Sequence, residues 1–407
     1  MAGTIKNTMN KDLDLVIYGA TGFTGQLCVE YLGSLNTDIR WAIAGRNQTK
    51  LEQVLKNLSL KAEIIIADSD DDNALDRLTH RTKVVLSIAG PFHRYGSKLV
   101  AACVKNSSHY VDITGENFWV RDLIDRHHDD ASRKGVRIIP SCGYDSIPSD
   151  MGVYFCHQNL NEPIKRIESF HSAKGGLSGG TLETMFALVD LKLDKRMFTS
   201  FLLNPEGTYT EQQKKLSRSK PGVKKIGKLN GWSAPFVMAA ANTRVVRRSA
   251  GLFQLQGMTY GNDFVYREFA FFKRKSSAYL MLIALAAFKL ILSSPLRKLF
   301  RAFLKKPGQG PSKELQESGW FDCRFIAETE SGETKAFRVK GRGDPGYKVT
   351  SLFVVEAALC LIKDHDQLPG GEKFGGVLTS ATGLGDVLIQ RLRKAGIIFI
   401  QEMDSNE

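Results

Sequence analysis

No C-x-x-C pair and no cluster of cysteine with histidine occurs in the 407 residues. The six cysteines (Cys28, Cys103, Cys142, Cys156, Cys323, Cys360) are scattered. That argues against a disulfide framework and a zinc site, and favours a reducing compartment. None of the eight histidines has metal-ligand spacing. The opening MAGTIKNTMNKDLD has no apolar stretch and no Gly at position 2. It predicts a flexible arm over 1–12 rather than a secretory signal or a myristoylation site. The closing QEMDSNE has no prenylation cysteine. Hydrophobic residues make up 43% and charged residues 24%, which excludes disordered, collagenous and coiled-coil classes.

Acidic residues are scarce in one place only. The net charge is +13. The whole excess sits in residues 151–310, with 26 basic side chains against nine acidic, while the flanking segments are slightly acidic. This segment is expected to face phosphate, nucleic acid or anionic lipid, or to be a solvated basic face.

The first 150 residues alternate strand and helix patterns. LDLVIYG (13–19) reads as a buried strand and runs into GATGFTG, that is Gly19, Ala20, Thr21, Gly22, Phe23, Thr24 and Gly25. QLCVEYLGSL continues as a helix. Strand, glycine turn and helix form the context of a dinucleotide fingerprint, here spaced G-x-x-G-x-x-G. The helix N-terminus then offers free N–H groups to a pyrophosphate. A second strand, WAIAG (41–45), is followed by Arg46 and Asn47 where an NAD site carries an acid. A guanidinium there suits a 2′-phosphate, so NADP is expected over NAD.

Further strands are expected at 62–68, 84–90, 109–116 and 136–143. The first ends in Asp68, a candidate for the adenine amino group, and the second in Ala89, Gly90 and Pro91 on the nicotinamide side. The fold class is α/β, a Rossmann-type doubly wound parallel sheet over 13–150, with ligands at the strand C-terminal ends. Candidates for proton chemistry at those ends are Tyr95, Tyr144 and Asp145, beside Asp112, Glu116 and Ser146. Tyr95 is preferred. Asp145 is also read as capping or orienting its loop. His93 is a further proton donor candidate, although a loop histidine is usually a surface residue.

The motifs GATGFTG, AGR (44–46), GPFHRYG (90–96), DITGE (112–116) and CGYDSIPSD (142–150) resemble the saccharopine-dehydrogenase-like oxidoreductases, most closely their trans-acting enoyl reductase branch. APFVMAAANTRVVRRSAGL (234–252), KKPGQGPSKELQESGWF (305–321) and GGVLTSATGLGDVLIQRL (375–392) extend the resemblance over nearly the whole chain. It implies an NADP-dependent reductase whose second α+β domain, 151–407, holds an antiparallel sheet. Strands at 164–173, 257–273, 321–330 and 333–341 agree with that sheet.

Within the second domain, Gly175-Gly176 and Gly179-Gly180 precede a helix starting near Thr181, a place for a substrate carboxylate, phosphate or thioester oxygen, or a capped turn. Residues 211–228 read as a basic surface loop. SSAYLMLIALAAFKLILSS (276–294) is apolar but for Lys289, at the low edge of spanning length. LRKLFRAFLKK (296–306) follows as a basic amphipathic helix. Residues 276–306 are read as touching an anionic membrane surface, with a buried helix and a span as the other readings. Nucleic acid is disfavoured, because the basic residues interleave with Leu and Phe and no nucleic-acid motif is present. A cytoplasmic protein held peripherally at a plasma membrane or lipid surface is expected, and a homo-oligomer stays open. Three functions remain: reduction of a lipid-like or polyketide-like acyl substrate, carrier-bound or free; reduction of a small amino-acid substrate; and non-catalytic NADP binding at a membrane.

Overall fold

The computed structural model describes residues 11–176, 193–218, 222–294 and 310–402, with Phe186, Asp190, Leu191 and Arg297 besides. The predicted arm lies almost wholly outside these residues, as do Gly179, Gly180, Thr181 and all but Arg297 of the amphipathic helix predicted over 296–306.

The β-branched runs of the N-terminal half become strands because both of their faces are covered. The strands are β1 (Leu13–Tyr18), β2 (Trp41–Gly45), β3 (Glu63–Ile66), β4 (Thr82–Ser87), β5 (His109–Asp112) and β6 (Arg137–Ile139). Every residue of β1 is buried, as a parallel strand between helical layers requires. Between them run helices α1 (Phe23–Ser34), α2 (Gln48–Leu58), α3 (Asp72–Arg81), α4 (Phe92–Tyr95), α5 (Ser97–Lys105) and α6 (Asn117–Arg133). Spatial order is β13-β6-β5-β4-β1-β2-β3, all parallel, where β13 is Gly376–Val377. Six of the seven strands thus come from 13–150 and the last from the far end of the chain. The order reverses between β1 and β4, which opens a crevice above their C-terminal ends.

Helix α7 (Ile147–Gln158) leads into a second sheet and is buried over ten consecutive residues, Ile147–Cys156. The second sheet contains β7 (Ile164–Lys174), β8 (Lys224–Ile226), β9 (Gly231–Pro235), β10 (Val265–Phe272), β11 (Trp320–Thr329), β12 (Thr334–Arg342) and β14 (Ile398–Glu402). Their order is β14-β12-β11-β7-β10-β9-β8. The sheet is mixed rather than wholly antiparallel, because β10 pairs with β7 in parallel. A parallel neighbour needs a long crossover, and residues 175–264 supply it. The stretch 211–228, expected as a loop, contributes helix α8 (Glu211–Leu216) and edge strand β8. Strand β11 alternates strictly, with Phe321, Cys323, Phe325 and Ala327 buried on the face that meets α7. Contact there is close enough that a methyl group on Gly152 would lie 2.2 Å from the Phe325 ring.

Five more α-helices follow among the described residues: α9 (Ala239–Leu255), α10 (Lys275–Ser293), α11 (Lys313–Ser318), α12 (Thr350–Lys363) and α13 (Ser380–Lys394), which precedes β14. Helix α12 packs on α1, β1, β4 and β5, so the C-terminal segment covers the first sheet. Two buried arginines stitch this return. Arg137 donates to the carbonyls of Gly383 (2.6 Å), Pro369 (2.9 Å) and Gly371 (2.7 Å). Arg248 donates to Leu203 and Val377. Carbonyl oxygens supply the polar partners that buried guanidiniums require.

Candidate active site

The fingerprint turn has the shape a diphosphate needs. Gly19 takes φ +85°, and a methyl group there would lie 2.9 Å from the Ala89 nitrogen. At Gly25 a methyl group would lie 2.4 Å from the Gly19 carbonyl oxygen, so only glycine lets α1 start this close to β1. Gly22 sits at the N-cap of α1 with no side-chain cap, and the first turn carries no acid. The free N–H groups and the positive helix end therefore await an anion. Ala20, Thr21, Phe23 and Thr24 complete the turn and the first helical residues.

Arg46 is exposed just beyond β2 and makes no hydrogen bond or ion pair among the described residues. Asn47 is already engaged: its side chain caps α2 by accepting from the Lys50 N–H (2.9 Å). Asp68 follows β3 and accepts from the Asp70 N–H (3.0 Å), leaving its second oxygen for a ligand. Ala89, Gly90 and Pro91 follow β4 directly against the fingerprint, and the Gly90–Pro91 bond is cis.

Sequence reasoning misjudged the next turn. His93 is not a surface residue; its side chain is 13% exposed and pairs with Glu116, which is 2% exposed. Glu116 accepts from the Phe92 N–H (2.9 Å), the His93 N–H (2.8 Å) and His93 Nδ1 (2.6 Å). The signal was present as a histidine and a glutamate ending two motifs of adjacent strands, but nothing local to either motif announces the contact. Tyr95, the preferred proton donor, is half-buried on α4 and makes no side-chain hydrogen bond among the described residues.

The loop after β6 carries the other candidates. Tyr144 packs edge-on against Phe321 (5.2 Å), and its hydroxyl is buried without a partner. Burial holds this phenol far above its ordinary range, so it keeps its proton. Asp145 is half-buried and makes no side-chain hydrogen bond among the described residues, so the capping role is not seen. Burial pushes its carboxyl up to about 6. Asp112 instead ties the strand ends together, accepting from Thr114 N–H (2.8 Å) and Ser141 N–H (2.9 Å). The Gly176 N–H, offered for a substrate oxygen, is taken by Asp344 (2.9 Å).

Facing this loop, the second sheet holds a buried polar chain. Ser146 donates to Asn242 (3.5 Å), Asn242 to Glu268 (3.1 Å), and Tyr266 to the other Glu268 oxygen (2.8 Å). Ser169 bridges Tyr266 (2.9 Å) and His171 (2.9 Å), and His171 meets Cys323 (3.2 Å). Burial pushes Glu268 up to about 7 and His171 down to about 3, so both are neutral in weakly acid solution.

Helix α10 flanks the same region. Of its apolar stretch Lys275–Leu292 only 6% is buried, against 78% for Pro345–Lys363, the other helix that could cross a membrane by length and composition. The buried-helix reading of 276–294 is therefore wrong. Leu280, Ile283 and Leu290 are 68%, 64% and 71% exposed. The chain returns at Gly310, where a methyl group would lie 2.1 Å from the Phe23 ring of the fingerprint.

Two predictions follow from this geometry. Arg46→Asp should weaken NADPH binding about 10-fold or more and leave NADH binding within about twofold; titration with each nucleotide checks it, and equal losses would remove Arg46 from the site. Glu268 binds its proton more tightly folded than unfolded, so its contribution is full at low pH and is lost as pH rises from about 4.5 through about 7. Glu268→Gln should erase roughly 3 kcal/mol of that decline, seen as denaturation curves for the two proteins that diverge across this window.

Residues 15–139 match the family model described as the saccharopine dehydrogenase NADP binding domain. A trans-acting enoyl reductase of Mycobacterium bovis is 33% identical, with 95% of this chain and 97% of that protein covered. One from Mycobacterium ulcerans is 31% identical, with 96% and 98% covered. Among solved structures, apo saccharopine dehydrogenase (L-Glu forming) from Saccharomyces cerevisiae has a TM-score of 0.54 at 12% identity, with 97% and 100% covered; that likeness is one of fold. The uncapped glycine cradle and the unpaired Arg46 agree with the nucleotide that the domain is named for. The chain thus belongs to the trans-acting enoyl reductase family, as an NADP-dependent oxidoreductase built on the saccharopine dehydrogenase fold.

Proposed function

We propose that this protein reduces the carbon–carbon double bond of a lipid-like or polyketide-like enoyl thioester, free or carrier-bound, at an anionic membrane surface. The name carried by its relatives supports the reaction class. The observation that carries the membrane part is the exposed apolar helix α10, whose return segment packs on Phe23 of the nucleotide turn. Helix α10 itself packs on β9 and β10 of the second sheet. Lys273, Arg274 and Lys275 stand at the start of that helix and suit anionic headgroups.

NADPH, when bound, supplies the hydride. The chain's own residues do the rest. Gly22 and the start of α1 would hold the diphosphate, and Arg46 would hold the 2′-phosphate. Ala89, Gly90 and Pro91 wall the nicotinamide side, and Tyr95, Tyr144 and Asp145 line the substrate side. A small, charged amino-acid substrate finds little support, since the inner face of the second sheet presents neutral, mutually bonded groups.

The expected result is oxidation of NADPH by a long-chain 2-enoyl thioester, yielding the saturated thioester, with NADH at least about 10-fold less effective. Replacing Leu280, Ile283 and Leu290 together by Asp should weaken binding to anionic vesicles, read by co-sedimentation, at least about 1000-fold and leave NADPH affinity unchanged, because each large apolar side chain moved into lipid contributes about 1.5–3 kcal/mol. Binding that ignores salt, lipid charge and these substitutions would overturn the membrane assignment.

A further inference from the structure

We propose that His93, oriented by Glu116, is the catalytic acid that gives the substrate its proton; this rests on the enoyl-reductase reading above. The argument begins with place. His93 sits on the turn after β4 and Glu116 on the turn after β5, at the C-terminal ends of adjacent strands. Strand β4 borders β1 at the point where the strand order reverses, and the segment leading to His93 touches Gly19 through Ala89. On the other side, Asn117, next to Glu116, donates to the Ala241 carbonyl of α9 (3.2 Å). The pair therefore lies where the nucleotide sheet meets the second half of the molecule.

The chemistry of the pair follows from its hydrogen bonds. A carboxylate only accepts, so His93 Nδ1 is the donor in the 2.6 Å contact. The Phe92 and His93 amides hold the same carboxylate from the backbone, so it cannot turn away. Phe92 is anchored in turn by stacking on Trp119 (5.7 Å). With Nδ1 committed, the opposite nitrogen, Nε2, is the working end of the ring. It is buried and has no hydrogen-bond partner. Buried polar atoms are nearly always paired, so an unpartnered one at the mouth of a ligand crevice calls for a partner, and a substrate would supply it. A histidine fixed by a carboxylate at Nδ1 and left without a partner at Nε2 is the arrangement that moves protons in other enzymes. Tyr95 offers no comparable support, and the Tyr144 phenol is locked in apolar packing.

The step balances. A hydride with its electron pair arrives at the β-carbon of the enoyl thioester from NADPH, which leaves as NADP+. The π electrons move to form an enolate. The Nε2–H bond of the imidazolium breaks as a new C–H bond forms at the α-carbon, giving the saturated thioester and neutral imidazole. Solvent returns the proton. Glu116 touches no reacting atom and is a positioning residue.

The test has two arms. In the apo protein, nitrogen NMR of histidine-labelled chain should find the neutral His93 ring protonated at Nδ1 and bare at Nε2, and Glu116→Gln should abolish that preference. The reverse tautomer in the wild type overturns the proposal. In turnover with NADPH and a 2-enoyl thioester, His93→Gln should lower kcat about 100-fold or more and Glu116→Gln about 10-fold, with NADPH affinity and KM within about threefold. Binding of NADPH by each variant verifies that it is folded. An active wild type beside an equally active His93→Gln overturns this proposal alone. A wild type that reduces no enoyl thioester overturns the functional reading and the proposal with it.

Discussion

The buried carboxyl of Asp150 fixes how the two sheets sit against each other. It projects from α7, the helix between them. Ser249 of α9 donates to one of its oxygens, and the Ala381 N–H of α13 donates to the other (2.8 Å). Ser249 is joined to Thr379 as well (2.7 Å), so three helices from distant parts of the chain meet at one group. Burial pushes this carboxyl up to about 6. Its hydrogen bonds offset a desolvation cost that an apolar residue would avoid, and they give orientation in return. The crevice over β1 and β4, and every contact across it, depends on α7 holding its angle.

The fold was legible where local pattern and burial coincide. LDLVIY, WAIAG and VVLS are short, largely apolar and almost wholly buried, and they were read within three residues. The fingerprint was legible because glycine is obligatory at Gly19 and Gly25 for steric reasons. Strand β13 was not, since two residues cannot show a period; only pairing with β6 defines it. Nor was the parallel pairing of β7 with β10, which depends on the path of the intervening chain. In the candidate site, Arg46 was singled out for its position just after β2, where the structure leaves it exposed. The pairing of His93 and Glu116 could not, because it joins two strand ends 23 residues apart in sequence. Asn47 was placed in the nucleotide site although its side chain caps α2.

Charge gave a mixed lesson. The basic excess of 151–310 was read as a surface, yet Arg247 and Arg248 lie inside. Arg247 donates to the carbonyls of Ser200 (2.9 Å) and Tyr266 (3.1 Å), and Arg248 to two others. These guanidiniums tie α9 to its surroundings and present no field to a partner. Among the described residues, exposed basic side chains stand around β8 at Lys224, Lys225 and Lys228 and at the start of α10 at Lys273, Arg274 and Lys275. An apolar helix left uncovered beside such charge is a surface that water does not favour. In a chain whose other long apolar helix is three-quarters buried, its exposure is a departure from the rule.

The seventh strand of the nucleotide sheet has a consequence for biosynthesis. Gly376 and Val377 leave the ribosome long after β6, their partner in the sheet, and α12, which covers β1, β4 and β5, emerges shortly before them. A nascent chain can assemble six strands and the glycine turn early, with α1 and α2 on one face, but the part of that face that α12 covers stays bare until α12 has emerged. Truncated chains would expose an apolar surface that chaperones and proteases recognise.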